Sequence, residues 1–151
     1  LVMEKAVQKG MILLLNPSPV TPALFSYPLS CVDWFLLNET EGHALTGETE
    51  PQRILAGMKR QYPKAGVVLT LGSDGAYCAQ DGQVVYQPAF SVEVVDTTAA
   101  GDTFAGYFAA GLAQGESLAV SMKRAAKAAA LAVSRPGAAL SIPKREEVSS
   151  L

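Results

Sequence analysis

Three short runs of apolar residues constrain the fold of this chain most strongly, because each run is continuous rather than alternating. The runs are MILLLN at 11–16, CVDWFLLN at 31–38 and AGVVLTLG at 65–72. A strand covered on one face alternates apolar with polar residues, whereas a strand buried on both faces reads as an unbroken apolar run. The three runs therefore predict three buried strands.

Helical segments separate and follow these strands. A short helix is predicted over 39–46, and a longer one over 51–62 has Pro51 in its first turn. Two more helices are predicted over 103–113 and from Leu118 to about Val133. Strands that alternate with helices indicate an α/β fold with a mostly parallel sheet.

Two further features extend this outline. The dipeptide Asp81-Gly82 between AYCAQ and QVVYQ is a hairpin signal, which adds antiparallel strands to the sheet. The first ten residues are typical of the end of an amphipathic helix, with Lys9 in the last turn and Gly10 as the C-terminal cap. Because no helix start precedes them, we expect further residues of the protein upstream.

Polar or glycine-rich loops follow three apolar runs. They therefore lie at the carboxyl ends of the predicted strands, which is where a parallel sheet binds its ligands. NETE follows CVDWFLL, TLGSDG begins at the end of GVV, and DTTAAGD follows VEVV, which we interpret as another strand. The carboxyl ends of parallel strands lie at one edge of the sheet, so the three loops are interpreted together.

The segment DTTAAGD, residues 96–102, predicts an anion site. Small residues at 99–101 leave the backbone N–H groups of the following helix exposed at its positive end. Asp102 would lie beside that anion, where it could accept a proton from an attacking hydroxyl. The alternative is structural: Thr97, Thr98 or Asp102 caps the helix.

The other two loops each have a structural alternative. Asn38 followed by Glu41 fits a capping box, which needs no function; the functional interpretation places Asn38 near nucleotide phosphates and Glu41 near hydrated Mg²⁺. Gly72 and Gly75 could serve only the turn between two strands. TLGSDG matches neither the dinucleotide fingerprint nor a Walker P-loop.

Composition excludes some classes of function. Only 17% of the residues are charged and the net charge is −2, so no surface for nucleic acid or an anionic membrane is expected. The longest apolar run is too short to span a bilayer and no signal peptide is recognisable, so we expect a cytoplasmic protein. Cys31 and Cys78 are expected to be small buried residues, and His43 an ordinary surface residue.

VDTTAAGDTFAG, NETE, TLGSDG and SRPGAALSIP, in this order and at these spacings, resemble the C-terminal half of the ribokinase-like carbohydrate kinases, or PfkB family. The resemblance covers nearly the whole chain. It implies a three-layer α/β/α ribokinase-like fold, mostly parallel, with an antiparallel hairpin at one side. Residues 1–151 would form its C-terminal nucleotide-binding portion, and the N-terminal part would be missing, since family members are roughly twice as long.

This resemblance implies phosphoryl transfer from ATP to a sugar hydroxyl. Asp102 would contact the substrate and act as the base, and the amides of Ala100, Gly101 and Asp102 would stabilise the transferring phosphoryl group. Glu41 would help to hold Mg²⁺ through water. The implied ATP contacts are Asn38, Thr70, Leu71, Gly72, Ser73, Asp74, Gly75, Gly101 and Ala126.

Ribokinase-type members also bind a monovalent cation, so the resemblance implies a K⁺ site built from oxygen atoms. The side chains of Asp96 and Ser141 would be ligands, together with backbone carbonyls. The implied carbonyl ligands belong to Thr98, Ala132, Arg135 and Gly137. The structural alternative for 135–141 is a loop that ends a helix.

Two positions depart from the family pattern. Many members carry glycine where this chain has Ala99, a change that costs little unless the turn needs a positive φ. Ala126 replaces a polar residue that often faces the nucleotide, so one nucleotide contact is expected to be lost.

The substrate is left open, because most sugar contacts and the lid are implied to lie in the missing half. A nucleoside, a sugar phosphate or a vitamin-like alcohol is the alternative to a sugar, and we expect this chain alone to be inactive. A non-catalytic nucleotide-binding fragment is the alternative from another class, against which the retained Asp102 argues. A homodimer of the full-length protein is left open.

Overall fold

The computed structural model describes residues 2–149. The helices are α1 (Val2–Gln8), α2 (Glu39–Thr46), α3 (Pro51–Gln61), α4 (Ala100–Ala113), α5 (Leu118–Val133) and α6 (Arg145–Ser149). The strands are β1 (Leu14–Leu15), β2 (Trp34–Asn38), β3 (Gly66–Thr70), β4 (Ala76–Gln80) and β5 (Gln83–Gln87). They form one sheet in the order β1-β2-β3-β4-β5. The predicted α/β class is confirmed.

Contacts between residues divide the chain into two compact units. The first unit holds the residues up to Leu71 together with Tyr77–Val84, and the second holds Gly72–Ala76 and the residues from Val85 onward.

Strands β2 and β3 are the parallel centre of the sheet. Their register runs from Trp34 beside Gly66 to Asn38 beside Thr70, and the first four residues of each strand are buried. A Cβ atom at position 66 would lie 2.4 Å from ring carbons of Trp34, so glycine makes room for the indole. The prediction of two strands buried on both faces is confirmed here.

The core of the first unit lies between these strands and helices α2 and α3. Helix α3 begins at Pro51, as predicted, and buries Ile54 and Met58 completely. The buried members of this cluster are Leu24, Leu29, Val32, Phe35, Leu37, Leu45, Ile54, Leu55, Met58, Ala65, Val67 and Leu69. At about 1.5–3 kcal/mol for each large apolar side chain, this cluster is the main source of stability in the unit.

The first apolar run behaves differently from the prediction. Only Leu14 and Leu15 form a strand, paired in parallel with β2, and the side chains of Met11 and Ile12 are each 59% exposed. The prediction of a strand buried on both faces is wrong for this run. The physical reason is its position, because among the described residues β1 lies at the end of the sheet order and pairs with β2 alone.

The predicted hairpin is present as β4 and β5, and the turn residues explain it. Asp81 has φ of +50° and Gly82 has φ of +81°. Positive φ at both central residues is the requirement of the type I′ turn, whose twist matches that of paired strands.

Helices α4 and α5 form the core of the second unit. Phe108 and Met122 are completely buried, and a Cβ atom at Gly111 would lie 2.4 Å from the Ser121 hydroxyl. Glycine at this position therefore allows the two helices to approach closely. Helix α4 begins at Ala100 rather than at the predicted residue 103.

The run VEVV before Asp96 is not a strand, so that prediction is also wrong. Val92, Val94 and Val95 are 37%, 61% and 57% exposed. Instead of pairing in a ladder, the N–H groups of Val95 and Asp96 both donate to the carbonyl of Val133, at 2.8 and 3.1 Å. Apolar composition alone does not make a strand when no neighbouring strand accepts its hydrogen bonds.

Predictions for single residues are partly confirmed. Gly10 ends α1 with φ of +66°, as expected, and His43 is exposed. Cys78 is buried as predicted, but Cys31 is only half-buried. Over residues 2–149, every helix is too short or too polar to pass through a bilayer.

Candidate functional site

The predicted site residues belong to both compact units. Asn38, Glu41, Thr70 and Leu71 belong to the first unit. Those of the second unit are Gly72, Ser73, Asp74, Gly75, Asp96, Thr98, Ala100, Gly101, Asp102, Ala126, Ala132, Arg135, Gly137 and Ser141.

Asn38 and Glu41 form a capping box at the start of α2. The Asn38 side-chain oxygen accepts the Glu41 N–H at 2.9 Å, and the Glu41 carboxylate accepts the Asn38 N–H at 2.9 Å. Glu41 is only 5% exposed. The structural alternative therefore accounts for both residues, and any role in binding would be additional to the cap.

The loops after β2 and β3 begin side by side. Asn38 and Thr70 are register partners at the carboxyl ends of these parallel strands, and the Thr70 hydroxyl donates to the carbonyl of Leu37 at 3.2 Å. The prediction that NETE and TLGSDG leave the same edge of the sheet is confirmed.

Residues 72–75 make a tight turn that depends on its glycines. Gly72–Asp74 is a 3₁₀ turn, and Gly72 and Gly75 have φ of +56° and +103°. A Cβ atom at Gly75 would lie 2.2 Å from the Gln87 carbonyl oxygen. Backbone geometry alone thus explains both glycines, as the structural alternative for this loop proposed.

The start of helix α4 has free backbone donors and no side-chain cap. Its N-cap residue is Ala99, in the left-handed conformation with φ of +62°. The Ala100 N–H donates to the Thr97 carbonyl at 3.2 Å, whereas within residues 2–149 the amides of Gly101 and Asp102 have no protein acceptor outside the helix. The alternative that a side chain caps this helix is wrong.

Asp96 joins two loops of the second unit that are distant in sequence. One carboxylate oxygen accepts the Thr98 N–H at 2.9 Å, and the other accepts the Gly137 N–H at 3.0 Å. Hydrogen bonds from the Thr98 side chain, the Thr98 backbone and the Gly137 backbone lower the pKa of Asp96. Asp96 therefore brings the segment before α4 to the loop after α5.

The loop over 135–141 offers several oxygen atoms. Ser141 is completely buried, and its hydroxyl donates to the Ala138 carbonyl at 2.7 Å, which leaves the hydroxyl oxygen free to accept. Among the described residues, the carbonyls of Thr98, Arg135 and Gly137 have no protein donor. The Ala132 carbonyl accepts the Arg135 N–H at 3.1 Å and also the Ser134 N–H, so a cation there would share its lone pairs with these donors.

This donor set fits a hard monovalent cation, because it combines one carboxylate with neutral oxygens. The described residues contain no group of three or more His, Cys, Asp or Glu side chains arranged to hold a metal ion. Glu41 would therefore contribute a single carboxylate to any Mg²⁺ bound beside it.

Sequence reasoning missed three residues that support this loop. Glu147 pairs with the guanidinium of Arg135, and that hydrogen bond is the main cause of the lowered pKa of Glu147. The Lys127 ammonium, buried in an alanine-rich helix, donates to the Val148 carbonyl, and the Tyr107 hydroxyl donates to the Pro143 carbonyl, both at 2.7 Å. A lysine on a buried helix face was the one available sequence signal.

Two other observations concern residues outside these loops. Ala126 is 8% exposed, so its methyl group contributes mainly to packing within the second unit. A groove of about 290 Å³ lies beside Leu55, Lys59, Tyr77 and Val84 in the first unit. None of the predicted site residues lines it.

The α/β fold and the loop motifs agree with those of a family of known proteins. The sequence profile described as pfkB family carbohydrate kinase matches residues 2–145. The chain belongs to the pfkB family of carbohydrate kinases.

Individual relatives agree with this assignment. A ribokinase from Schizosaccharomyces pombe is 36% identical over 154 residues, covering 97% of this chain and 48% of the relative. A deoxyribokinase from Salmonella typhi is 36% identical over 149 residues, covering 95% of this chain and 48% of the relative. The crystal structure of Arabidopsis thaliana ribokinase complexed with ribose and ATP has a TM-score of 0.84 at 30% identity, covering 99% of this chain and 50% of that one.

These likenesses confirm the ribokinase-like three-layer fold that the sequence predicted. The chain spans about half the length of the relatives it matches.

Proposed function

We propose that this chain is the nucleotide-binding portion of an ATP-dependent kinase that phosphorylates a sugar hydroxyl. The observation that supports it best is the start of α4, where the amides of Gly101 and Asp102 have no protein acceptor within residues 2–149 and lie beside the exposed Asp102 carboxylate. Free donors at a helix N-terminus favour an anion, and a carboxylate beside them can accept a proton.

In the proposed reaction, Asp102 takes the proton of the substrate hydroxyl while the oxygen of that hydroxyl forms a bond to the γ-phosphorus of ATP. The bond between that phosphorus and the bridging oxygen of ATP breaks, and ADP leaves. The amides of Gly101 and Asp102 stabilise the charge on the transferring group. The Ala100 N–H donates a hydrogen bond to the Thr97 carbonyl. For this amide to contact the transferring group as predicted, the turn would have to rearrange slightly.

Other predicted residues would bind rather than react. Asn38 and the loop over 70–75 would contact ATP, and Glu41 would orient water on Mg²⁺ bound to the phosphates. Asp96, Ser141 and the free carbonyls near them would hold K⁺, whose charge would strengthen the anion site.

A pentose is the substrate that the relatives favour. The similar proteins are named ribokinase and deoxyribokinase, and the Arabidopsis structure contains ribose with ATP. We therefore propose ribose or a close pentose as the acceptor, in a protein of full family length and with a cytoplasmic location.

Asp102→Asn tests the proposed base in a protein that contains the rest of the kinase fold. We expect kcat to fall by several orders of magnitude, while MgATP affinity stays nearly constant, because only proton transfer and charge at the reacting centre are lost. Asp81→Asn, the same change at the hairpin turn, is the matched control and should keep full activity. A value of kcat for Asp102→Asn within about tenfold of wild type would remove Asp102 from this role.

The chain itself provides a second test. We expect it to bind MgATP weakly, with Kd in the high micromolar to millimolar range or about −4 to −6 kcal/mol, and to release no ADP in response to sugars. Calorimetry and a coupled ADP assay over pentoses and hexoses would measure both. Sugar-dependent turnover by these 151 residues would refute the proposal that the substrate pocket lies outside them.

A further inference from the structure

The loop over 134–141, between α5 and α6, is held from two sides. On one side, the Gly137 N–H donates to the Asp96 carboxylate at 3.0 Å. On the other side, the guanidinium of Arg135 forms an ion pair and hydrogen bond with the carboxylate of Glu147 on α6. The loop that carries half of the proposed K⁺ ligands is thus held at Arg135 and Gly137 by different elements.

Glu147 is itself held in place. Its second carboxylate oxygen accepts the Lys144 N–H at 2.7 Å. Helix α6 is fastened to α5 by the buried Lys127 ammonium, which donates to the Val148 carbonyl. The segment before it is fastened to α4 by Tyr107, whose hydroxyl donates to the Pro143 carbonyl. The partner of Arg135 is therefore held by a hydrogen bond within its own segment, and that segment is hydrogen-bonded to α4 and α5.

Arg135 combines this anchor with a free backbone carbonyl. Its side chain reaches Glu147, while within residues 2–149 its carbonyl oxygen and that of Gly137 have no protein donor. A cation needs such oxygens at fixed positions, since rearranging them on binding costs affinity. The ion pair thus constrains the residue whose carbonyl would face the cation.

We propose that Arg135 and Glu147 are a positioning pair that holds the loop over 134–141 in the geometry that binds a monovalent cation. This inference rests on the proposed function, because it deepens the assignment of K⁺ to that loop. Neither side chain contacts the cation; both act through the loop backbone.

A purely structural role predicts a different result. The two side chains are 35% and 39% exposed, and ion pairs at such exposure contribute little to stability, with a median of about 0–1 kcal/mol. In contrast, mutating a residue that orients a metal ligand typically lowers metal affinity about 10–100-fold. The pair should therefore affect cation affinity far more than it affects Tm.

The experiment measures the Tm of the chain, and of the full-length kinase, as KCl replaces tetramethylammonium chloride at fixed ionic strength. The variants are Arg135→Met, Glu147→Gln and the charge swap Arg135→Glu with Glu147→Arg. Arg124→Met is the matched control, because it removes an ion pair of 2.6 Å from the same unit, but at a distance from the loop in sequence. The K⁺ concentration for half-activation of the kinase is the second readout.

We expect wild type to be stabilised by K⁺, and Arg135→Met and Glu147→Gln to need about tenfold more K⁺ for the same effect. The Tm of both variants in tetramethylammonium chloride should stay within about 2 °C of wild type. The charge swap should recover the K⁺ affinity of wild type, and Arg124→Met should keep that affinity. Unchanged K⁺ affinity in both single variants would overturn the inference and leave the cation site standing. No K⁺ response in wild type would overturn the cation site and the inference together.

Discussion

Alanine at position 75 would place a methyl group against the main chain that follows β5. Gly75 has φ of +103°, and a Cβ atom there would lie 2.2 Å from the Gln87 carbonyl oxygen and 2.8 Å from the Cα of Pro88. Because both contacts are backbone atoms, no side-chain rotation can relieve them. The substitution therefore combines an unfavourable φ with overpacking.

The two effects contribute separately to the loss of stability. A non-glycine residue in such a backbone region costs about 1–3 kcal/mol, and overpacking typically costs about 1–3 kcal/mol. Alanine recovers about 0.4–1 kcal/mol by restricting the unfolded chain. We expect Gly75→Ala to lower the free energy of unfolding by about 1–5 kcal/mol, and Tm by on the order of 10 °C.

Gly72→Ala is the control, because Gly72 also has a positive φ, of +56°, but a Cβ atom added there would meet nothing within 4 Å. It should cost only the backbone strain less the entropy gain, about 0.5–1 kcal/mol. Urea unfolding and calorimetry of both variants measure the difference. If Gly75→Ala were no less stable than Gly72→Ala, the close backbone approach at Gly75 would be refuted.

Three further predictions concern single residues. Ala99→Gly should raise the stability by about 0.5–1 kcal/mol by removing left-handed strain, whereas Ala105→Gly within α4 should lower it by a similar amount; a loss of Tm in Ala99→Gly would contradict the first. The pKa of Asp96 is lowered in the folded protein, so the contribution of its carboxylate to stability is present above about pH 4 and is lost as the pH falls through the folded-state pKa. Asp96→Asn should therefore flatten the acid side of the profile of stability against pH. An unchanged profile would argue against the hydrogen bonds that join Asp96 to Thr98 and Gly137. Burial raises the pKa of Cys78 to about 12, so a thiol reagent at about pH 8 should label Cys31 first, and equal rates in the native protein would be inconsistent with this burial.

Local sequence signals predicted the elements whose causes are local. The capping box at Asn38 and Glu41 predicted the start of α2, and the Asp81-Gly82 turn predicted the hairpin. Continuous apolar runs predicted β2 and β3, because these strands have neighbours on both sides. In each case a few adjacent residues determine the structure.

The failures have a non-local cause or a misleading local one. VEVV has the composition of a strand, but within residues 2–149 no strand pairs with it, and its valines are exposed. The predicted start of α4 is too late because the sequence offers Thr97, Thr98 and Asp102 as caps, whereas the observed N-cap is an alanine in a left-handed conformation. A cap without a side chain leaves no signal in the sequence.

The candidate site was predicted mainly through the family resemblance. Spacing alone did not connect Asp96 with Gly137, because the two residues are 41 positions apart. The pair of Arg135 and Glu147 was invisible for the same reason, since an arginine and a glutamate 12 positions apart in a loop and a short helix have no periodic relation. Tertiary contacts of this kind require the structure.

The bridge from Asp96 to Gly137 also has a consequence for the order of folding. Helices α4 and α5 can form from contacts close in sequence, whereas closing a connection of 41 residues carries an additional entropic cost and comes later in a folding reaction. During synthesis, the second carboxylate oxygen of Asp96 can accept its hydrogen bond only after Gly137 has left the ribosome. The backbone around the start of α4 would therefore reach its final geometry among the last parts of this unit, after the helices that support it.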